Sequence, residues 1–310
     1  MSFIHSTITR AAAFTAAMFA SPAMAADVTE RGMSESDFPL VQELVSGVYA
    51  YSDTLNAGQL ITTVSLIVVT SEGVVVVDGQ NTIEQGEAMV SEIKKLTDQP
   101  VKYRVIASDH GDHVNSLPAL KAAYPDMTII ATPISKAIMA ENAELPPVDE
   151  TVTQARTLTL GGVDIRVLNI GRGHTGGDLV AYLPASDVLF MGELYLHDVF
   201  PAMITAYPSD WVETIKTAQD MQVSWYVPGH GFVDDAPTLK EQLDHSLKAT
   251  EHVISEAHRL RAAGHKCPDE KNCPAFEHAE WGEFTEMALF ASQAPRALAR
   301  VYAEIEGRLP

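Results

Sequence analysis

Four apolar, strand-like stretches each run into a metal-ligand residue type within a few residues, most of them small. This recurrence constrains the chain more than any other feature. Val101 to Ala107 leads into Ser108-Asp109-His110-Gly111-Asp112-His113, and Val163 to Ile170 into Gly171-Arg172-Gly173-His174-Thr175-Gly176-Gly177-Asp178. Val188 to Met191 is followed by Glu193, and Trp225 to Val227 by Pro228-Gly229-His230-Gly231. Glycine lets such a loop turn sharply and approach a ligand closely. One histidine after a strand is ordinarily a loop residue, but ligand types at four successive strand ends are a joint pattern. Imidazole together with carboxylate suits zinc, iron or manganese. His110, Asp112, His113, His174 and His230 are therefore the chief candidate metal ligands.

The intervening segments mix strands and helices. Val41 to Tyr51 has strand character, and a Gly-containing loop, Ser52 to Gly58, follows it. Thr62 to Thr70 and Gly73 to Val77 are rich in β-branched residues and flank a Ser71-Glu72-Gly73 turn, which predicts a hairpin. Thr82 to Leu96 is helical by period, with Ile83, Met89, Val90, Ile93 and Leu96 near 3.6-residue spacing. Asn115 or Ser116 caps a further helix, with Pro118 in its first turn. Met127 to Ala131 reads as a strand and Ser135 to Ala140 as a short helix. Strands are expected again over Thr151 to Leu160, Val163 to Ile170, Asp178 to Leu183 and Val188 to Met191, then a Ser-capped helix over Ser209 to Met221. From Pro237 the chain reads as helical, about Leu239 to Ala263 and Ala279 to Glu306. Two β-rich blocks, each followed by helices, suggest two sheets packed together with helices outside.

These motifs resemble the metallo-β-lactamase superfamily, whose signature is His-x-His-x-Asp-His, a distant His in a Gly-His-Thr-like loop, an acidic residue after a short strand, and a final His in a Pro-Gly-His turn. Here they fall on Ser108 to His113, His174, Glu193 and His230, and the likeness covers roughly Val48 to Gly231. It implies an α/β chain of four layers (α+β in its layering): an αββα sandwich of two mixed β-sheets flanked by helices, over residues 26–235. Residues 236–310 would form a C-terminal helical extension packed on that body. Asp78, ending an apolar strand, resembles the strand-end Asp that supports the family's metal loop. Two positions depart from the pattern. Ser108 stands where the first His belongs, and a hydroxyl is a far weaker ligand than imidazole. Glu193 stands where a bridging Asp is usual, and its arm is longer. By the family's scheme one metal would use Ser108, His110 and His174, and the other Asp112, His113 and His230. The expectation is one tightly held metal and a second that is weak or completed by Glu193, Asp109 or His197.

The resemblance implies zinc, one or two ions, with iron as an alternative. It also implies metal-activated water, oriented by Asp112, attacking a small-molecule carbonyl substrate: a lactam, lactone, ester or thioester. Two other readings stay open: an iron-dependent oxidoreductase of the same fold, and a non-catalytic periplasmic accessory protein with a degenerate site. The loop Leu194 to Trp211, with Tyr195, Phe200, Met203 and Tyr207, is apolar, and Asp53 to Leu60 would be a flap over the site. Together they suggest a substrate with an apolar portion. Phe276, Trp281, Phe284, Met287, Leu289 and Phe290 load the C-terminal segment with apolar surface, for packing on the body or, as second reading, for a homodimer contact.

Residues 1–25 read as a signal peptide. Arg10 is their only charged side chain, Ala11 to Ala20 is too short an apolar run to span a bilayer, and Ala23-Met24-Ala25 fits a cleavage site. The expected location is the periplasm or outside the cell, with no membrane partner after signal removal. The formal charge of -20, or -21 without Arg10, repels nucleic acid and anionic lipid. In an oxidising compartment Cys267 and Cys273 are expected to form a disulfide, with a Cys/His zinc site involving His265 and His278 the lesser reading.

Overall fold

The computed structural model describes residues 26–55 and 61–310. The leader expected over residues 1–25, and residues 56–60 of the expected flap, lie outside the described residues. The chain begins with β1 (Leu40–Val45), β2 (Val48–Thr54), β3 (Thr62–Thr70), β4 (Gly73–Val77), helix α1 (Ile83–Leu96) and β5 (Val101–Val105). Short helices α2 (Gly111–Val114) and α3 (Leu117–Ala123) follow, then β6 (Thr128–Ala131), α4 (Pro133–Met139) and β7 (Glu150–Thr151). The second half contains β8 (Ala155–Leu160), β9 (Val163–Leu168), β10 (Val180–Leu183), β11 (Val188–Leu196), α5 (Pro208–Asp220), β12 (Trp225–His230), α6 (Ala236–Ala262) and α7 (Phe290–Ile305).

Hydrogen bonding links the described strands in the order β7-β6-β5-β4-β3-β12-β11-β10-β9-β8, with β2 and then β1 also attached through β3. The two expected sheets are thus two leaves of one path, and among the described residues a single register pair, His230 with Thr63, joins them. Alternation explains the layers. Leu66, Val75, Val77 and Ile130 of the first leaf meet Val167, Leu183, Phe190 and Val227 of the second, forming the central core. Their neighbours Ile67, Val74, Val76 and Ile129 face the other way, onto Met89, Ile93, Leu117 and Leu120. Leu189 and Met191 of the second leaf face Trp211, Ile215, Leu239, Val253 and Leu298 on α5, α6 and α7. Both faces of β4 are buried, which is why Val74 to Val77 reads as an unbroken apolar run rather than an alternating one. The result is the expected helix–sheet–sheet–helix stack.

Helix α1 starts at a capping box: Thr82 Oγ1 accepts from Gln85 N at 3.2 Å, and Gln85 Oε1 accepts from Thr82 N at 3.2 Å. Ser116 caps α3 only by position; its hydroxyl accepts instead from Gln80 N at 2.8 Å. Several boundaries differ from the sequence expectation. Val41 to Tyr51 is two antiparallel strands, because Gly47, at φ 78°, turns the chain back. Thr151 to Leu160 is likewise divided between β7 and β8. Helix α5 begins at Pro208 with Tyr207 in the cap position, and Ser209 Oγ donates to Glu304 Oε2 at 2.7 Å instead of capping. Ala279 to Glu306 is not one helix: a 3-10 turn covers Gly282–Glu286, Leu289 sits in the left-handed region at φ 63°, and only then does α7 begin. Cys267 and Cys273 are joined as expected, while His265 and His278 stack on each other with ring centroids 4.1 Å apart.

The parallel pair β11 and β12 approaches so closely that a Cβ on Gly229 would lie 2.5 Å from the Gly192 carbonyl carbon and 2.8 Å from Glu193 N. Gly229→Ala should therefore force the pair apart and cost about 1–3 kcal/mol, the usual range for overpacking. The expected readout is a lower urea midpoint at unchanged slope; an unchanged midpoint would show that the strands can separate freely here.

Candidate metal centre

The strand ends deliver the expected residues to one place. β11 runs on through Leu196, so Glu193 lies inside the strand, and β12 runs on to His230, which is its last residue. His110 precedes α2, and that helix carries Asp112 and His113. Two sets of side chains have ligand atoms mutually within 4.8 Å: Asp112, His113, Glu193 and His230, and His110, His174 and Glu193. In the first, His113 Nε2 and His230 Nε2 face each other at 3.2 Å, and Asp112 Oδ2 lies 3.2 Å from His230 Nε2. In the second, His174 Nε2 is 3.1 Å from His110 Nδ1. Glu193 spans both, with Oε1 3.0 Å from His174 Nε2 and 3.3 Å from His230 Nε2, and Oε2 3.2 Å from His110 Nδ1.

The far side of three of these rings is tied down. His230 Nδ1 meets the Thr62 carbonyl at 3.0 Å, His113 Nδ1 lies 3.2 Å from Asp78 Oδ2, and His110 Nε2 meets Thr205 Oγ1 at 3.0 Å. A partner on one ring nitrogen fixes the tautomer and orientation of the other. Asp78 also holds the metal loop, its Oδ1 accepting from Ala107 N at 2.6 Å and Ser108 N at 3.2 Å. The His174 loop is closed by Asp178, which accepts from Gly173 N at 2.8 Å and from Thr175 N at 3.0 Å. Trp211 packs edge-on against His174, with centroids 5.2 Å apart.

The departures from the family pattern meet each other: the Ser108 hydroxyl donates to Glu193 Oε2. Asp109 joins neither ligand set but raises the charge preference of His110. His197 is turned away from the site, its Nδ1 on the Phe232 carbonyl at 2.6 Å and its Nε2 3.7 Å from Asp234. Of the apolar loop residues, Tyr195, Phe200 and Met203 are buried in the core. Leu196, Val199, Ala202 and Ile204 line the cavity over the candidate metal ligands instead. Leu55 and Ile61, at the two ends of residues 56–60, line it as well. Sequence reading did not find Thr62, Thr205 or the cavity residue Gln293. The first acts through its carbonyl, which carries no sequence signal, and the others come from loops and helices distant in sequence.

Charge is strongly coupled in the site. Burial disfavours a charged His110, but Glu193, Asp112 and Asp109 outweigh it and hold the imidazole at about 9. Burial is likewise outweighed at His230, by Asp112 and Glu193, and it too stands at about 9. Burial alone would raise Asp112, yet His113 and His230 bring it down to about 2. The same opposition at Glu193 ends well below the ordinary glutamate range, through His174, His110 and His113. His174 is the exception: burial prevails over Glu193 and lowers it.

A family model described as the metallo-beta-lactamase superfamily matches residues 57–230. A metallo-beta-lactamase type 2 from Bacillus sp. (strain 170) is 26% identical over 195 residues, which is 60% of this chain and 74% of that protein. A hydroxyacylglutathione hydrolase from Ruegeria pomeroyi is 26% identical over 156 residues, 50% of this chain and 58% of its own length. Among solved structures, a metallo-beta-lactamase from Pontibacter korlensis has a TM-score of 0.63 at 26% identity, covering 69% of this chain and 99% of that one. The family match ends at His230, so α6 and α7 lie beyond it.

Metal and protons compete for these imidazoles. Because His110 and His230 hold their protons up to about 9 in the metal-free protein, zinc affinity should fall as pH drops below 9, on the order of tenfold per pH unit for each proton displaced. Competition titrations with a chelator between pH 6 and 9 check this; a flat profile would mean that neither imidazole exchanges its proton for metal.

Proposed function

The chain belongs to the metallo-beta-lactamase superfamily, and we propose that it is an exported metal-dependent hydrolase that uses metal-activated water on a carbonyl-type small molecule, a lactam, lactone, ester or thioester. The observation that carries this reading is the pair of ligand sets sharing Glu193 beneath a cavity lined in part by His110, Asp112, His174 and His230. The donors fit a borderline metal such as zinc: imidazole nitrogens and carboxylate oxygens converge, and three of the rings are held from behind. Asp112, His113 and His230 would hold one ion and His110 and His174 the other, with Glu193 available to both. A zinc ion there supplies a water of pKa roughly 7 and polarises a carbonyl.

The chain's own residues supply the rest. Asp112, ionised by its histidine neighbours, accepts a hydrogen bond from the attacking water and orients it towards the cavity. Leu55, Ile61, Leu196 and Val199 exclude bulk water and receive the apolar part of the substrate. Thr205 keeps His110 in register. Export is supported by the Cys267–Cys273 disulfide, which suits an oxidising compartment. No helix among the described residues is long and apolar enough to cross a membrane.

Elemental analysis of the purified mature protein tests the site, and hydrolysis of lactam, lactone and ester panels tests the activity. Two zinc ions per chain are expected. His113→Ala and His230→Ala should each lose metal and lower kcat/KM by at least about 100-fold, the upper end for merely supporting residues. Wild-type metal content in either variant would remove these residues from the site, and iron in place of zinc would favour redox chemistry. Glu193→Gln, which keeps the shape and removes the charge, should leave one ion; two ions retained would show that Glu193 is not shared.

A further inference from the structure

The C-terminal extension reaches into the cavity above the metal ligands. Leu289 and Gln293, the latter on the first turn of α7, line it together with residues of the family-matched body. Gln293 is only 6% exposed, yet its Oε1 has no hydrogen-bond partner among the described residues. A buried amide left unpaired costs free energy, roughly 1–3 kcal/mol in mutational series, so native structures rarely keep one without a use. The apolar part of the cavity wall, Leu55, Ile61, Leu196, Val199, Ile204 and Leu289, offers it no partner, and the remaining polar lining side chains are those of the candidate metal cluster.

Its position is registered against the metal site. Phe200 N donates to the Ala288 carbonyl at 2.9 Å, and Ala288 N to the Asp198 carbonyl at 3.0 Å, pinning the entry to α7. Arg300, further along α7, donates to the carbonyls of Ala206 at 2.6 Å and Thr205 at 2.9 Å. Thr205 is the residue that meets His110 Nε2. The helix bearing Gln293 and the loop steadying a ligand histidine therefore form one unit.

We infer that Gln293 is the specificity-determining residue of the pocket, hydrogen-bonding an uncharged secondary amide in the acyl part of the substrate. An amide complements it because a carboxamide presents both a donor and an acceptor, exchanged by a half-turn of its last bond. An anionic group is disfavoured because no Lys or Arg among the described residues lines the cavity, so the amide is the better complement. The acyl part is small, to suit a cavity of about 160 Å³. This rests on the hydrolase reading for the bond that is broken, but not for what is bound.

Three hydroxamates of matched shape test it by calorimetry on the zinc-loaded protein: those of N-acetylglycine, of 4-methylpentanoic acid, in which methylene and methyl replace N–H and O, and of succinic acid, which carries a free carboxylate. The N-acetylglycine compound should bind about tenfold tighter than either of the others. Gln293→Leu should erase its advantage over the aliphatic compound without changing zinc content, and Gln293→Met, which keeps the side-chain length, should do the same should the leucine variant fold poorly. With the p-nitrophenyl esters of N-acetylglycine and 4-methylpentanoic acid, the variants should raise KM about tenfold for the amide ester alone and leave kcat unchanged. Hydroxamate selectivity without ester turnover would sink the hydrolase reading and leave this one standing. Equal binding of the N-acetylglycine and aliphatic hydroxamates to the wild type, whether tight or absent, or selectivity that survives both substitutions, would overturn it.

Discussion

A single buried carboxylate organises this molecule. Taking an isolated carboxylate out of water costs on the order of tens of kcal/mol by Born solvation, and Glu193 is 5% exposed. It tolerates that position because His110, His113, His174 and His230 surround it at 3.0 to 3.7 Å. In the metal-free protein the compensating charge is protons on His110, His113 and His230; with metal present it would be the ions themselves. The cluster is thus balanced only when positive charge occupies its centre, which is the physical condition for a metal site rather than for an inert core.

The same residue explains the two departures from the family pattern. Read along the chain, a serine in place of the first histidine looks like loss of a ligand, and a glutamate in place of aspartate looks like a change of reach. In space they are one contact. Ser108 is fully buried and occupies far less volume than an imidazole, and its hydroxyl donates to Glu193 Oε2. The longer glutamate arm extends towards the space a histidine at position 108 would fill, and it brings an anionic oxygen near His110 in exchange for a neutral nitrogen. The two departures are therefore joined by a single hydrogen bond inside the cluster.

Much of this was legible in the sequence because it depends on local rules. Apolar runs bounded by Gly-rich loops gave the leaves, and ligand types at their ends gave six residues of the cluster. What escaped has two physical causes. Backbone choices such as the left-handed Leu289 broke an apolar, helix-like stretch that periodicity alone would continue. The extension of β11 through Glu193 escaped because parallel pairing with β12 at Gly192–Pro228 depends on a partner thirty-odd positions away. Likewise Tyr195, Phe200 and Met203 stood out as large apolar residues, and size took them into the core. The smaller Val199 and Ala202 were left to face the cavity.

The seam between the leaves shows why fold and site cannot be separated. β3 and β12 touch at one register pair, Thr63 with His230, and the adjacent Thr62 carbonyl is what orients the His230 ring. Gly231 N donates to the same carbonyl at 3.2 Å. A candidate ligand histidine therefore sits at the seam of the two leaves, where strand pairing and ring orientation share the Thr62–Thr63 segment. The C-terminal helices press on the opposite face of this second leaf, through Leu239, Val253 and Leu298. From there α7 carries Gln293 to the cavity. An appendage beyond the family match thus acts on both counts: it packs on the leaf that supplies Glu193 and His230, and it adds Gln293 to a cavity whose other polar lining side chains belong to the candidate metal cluster.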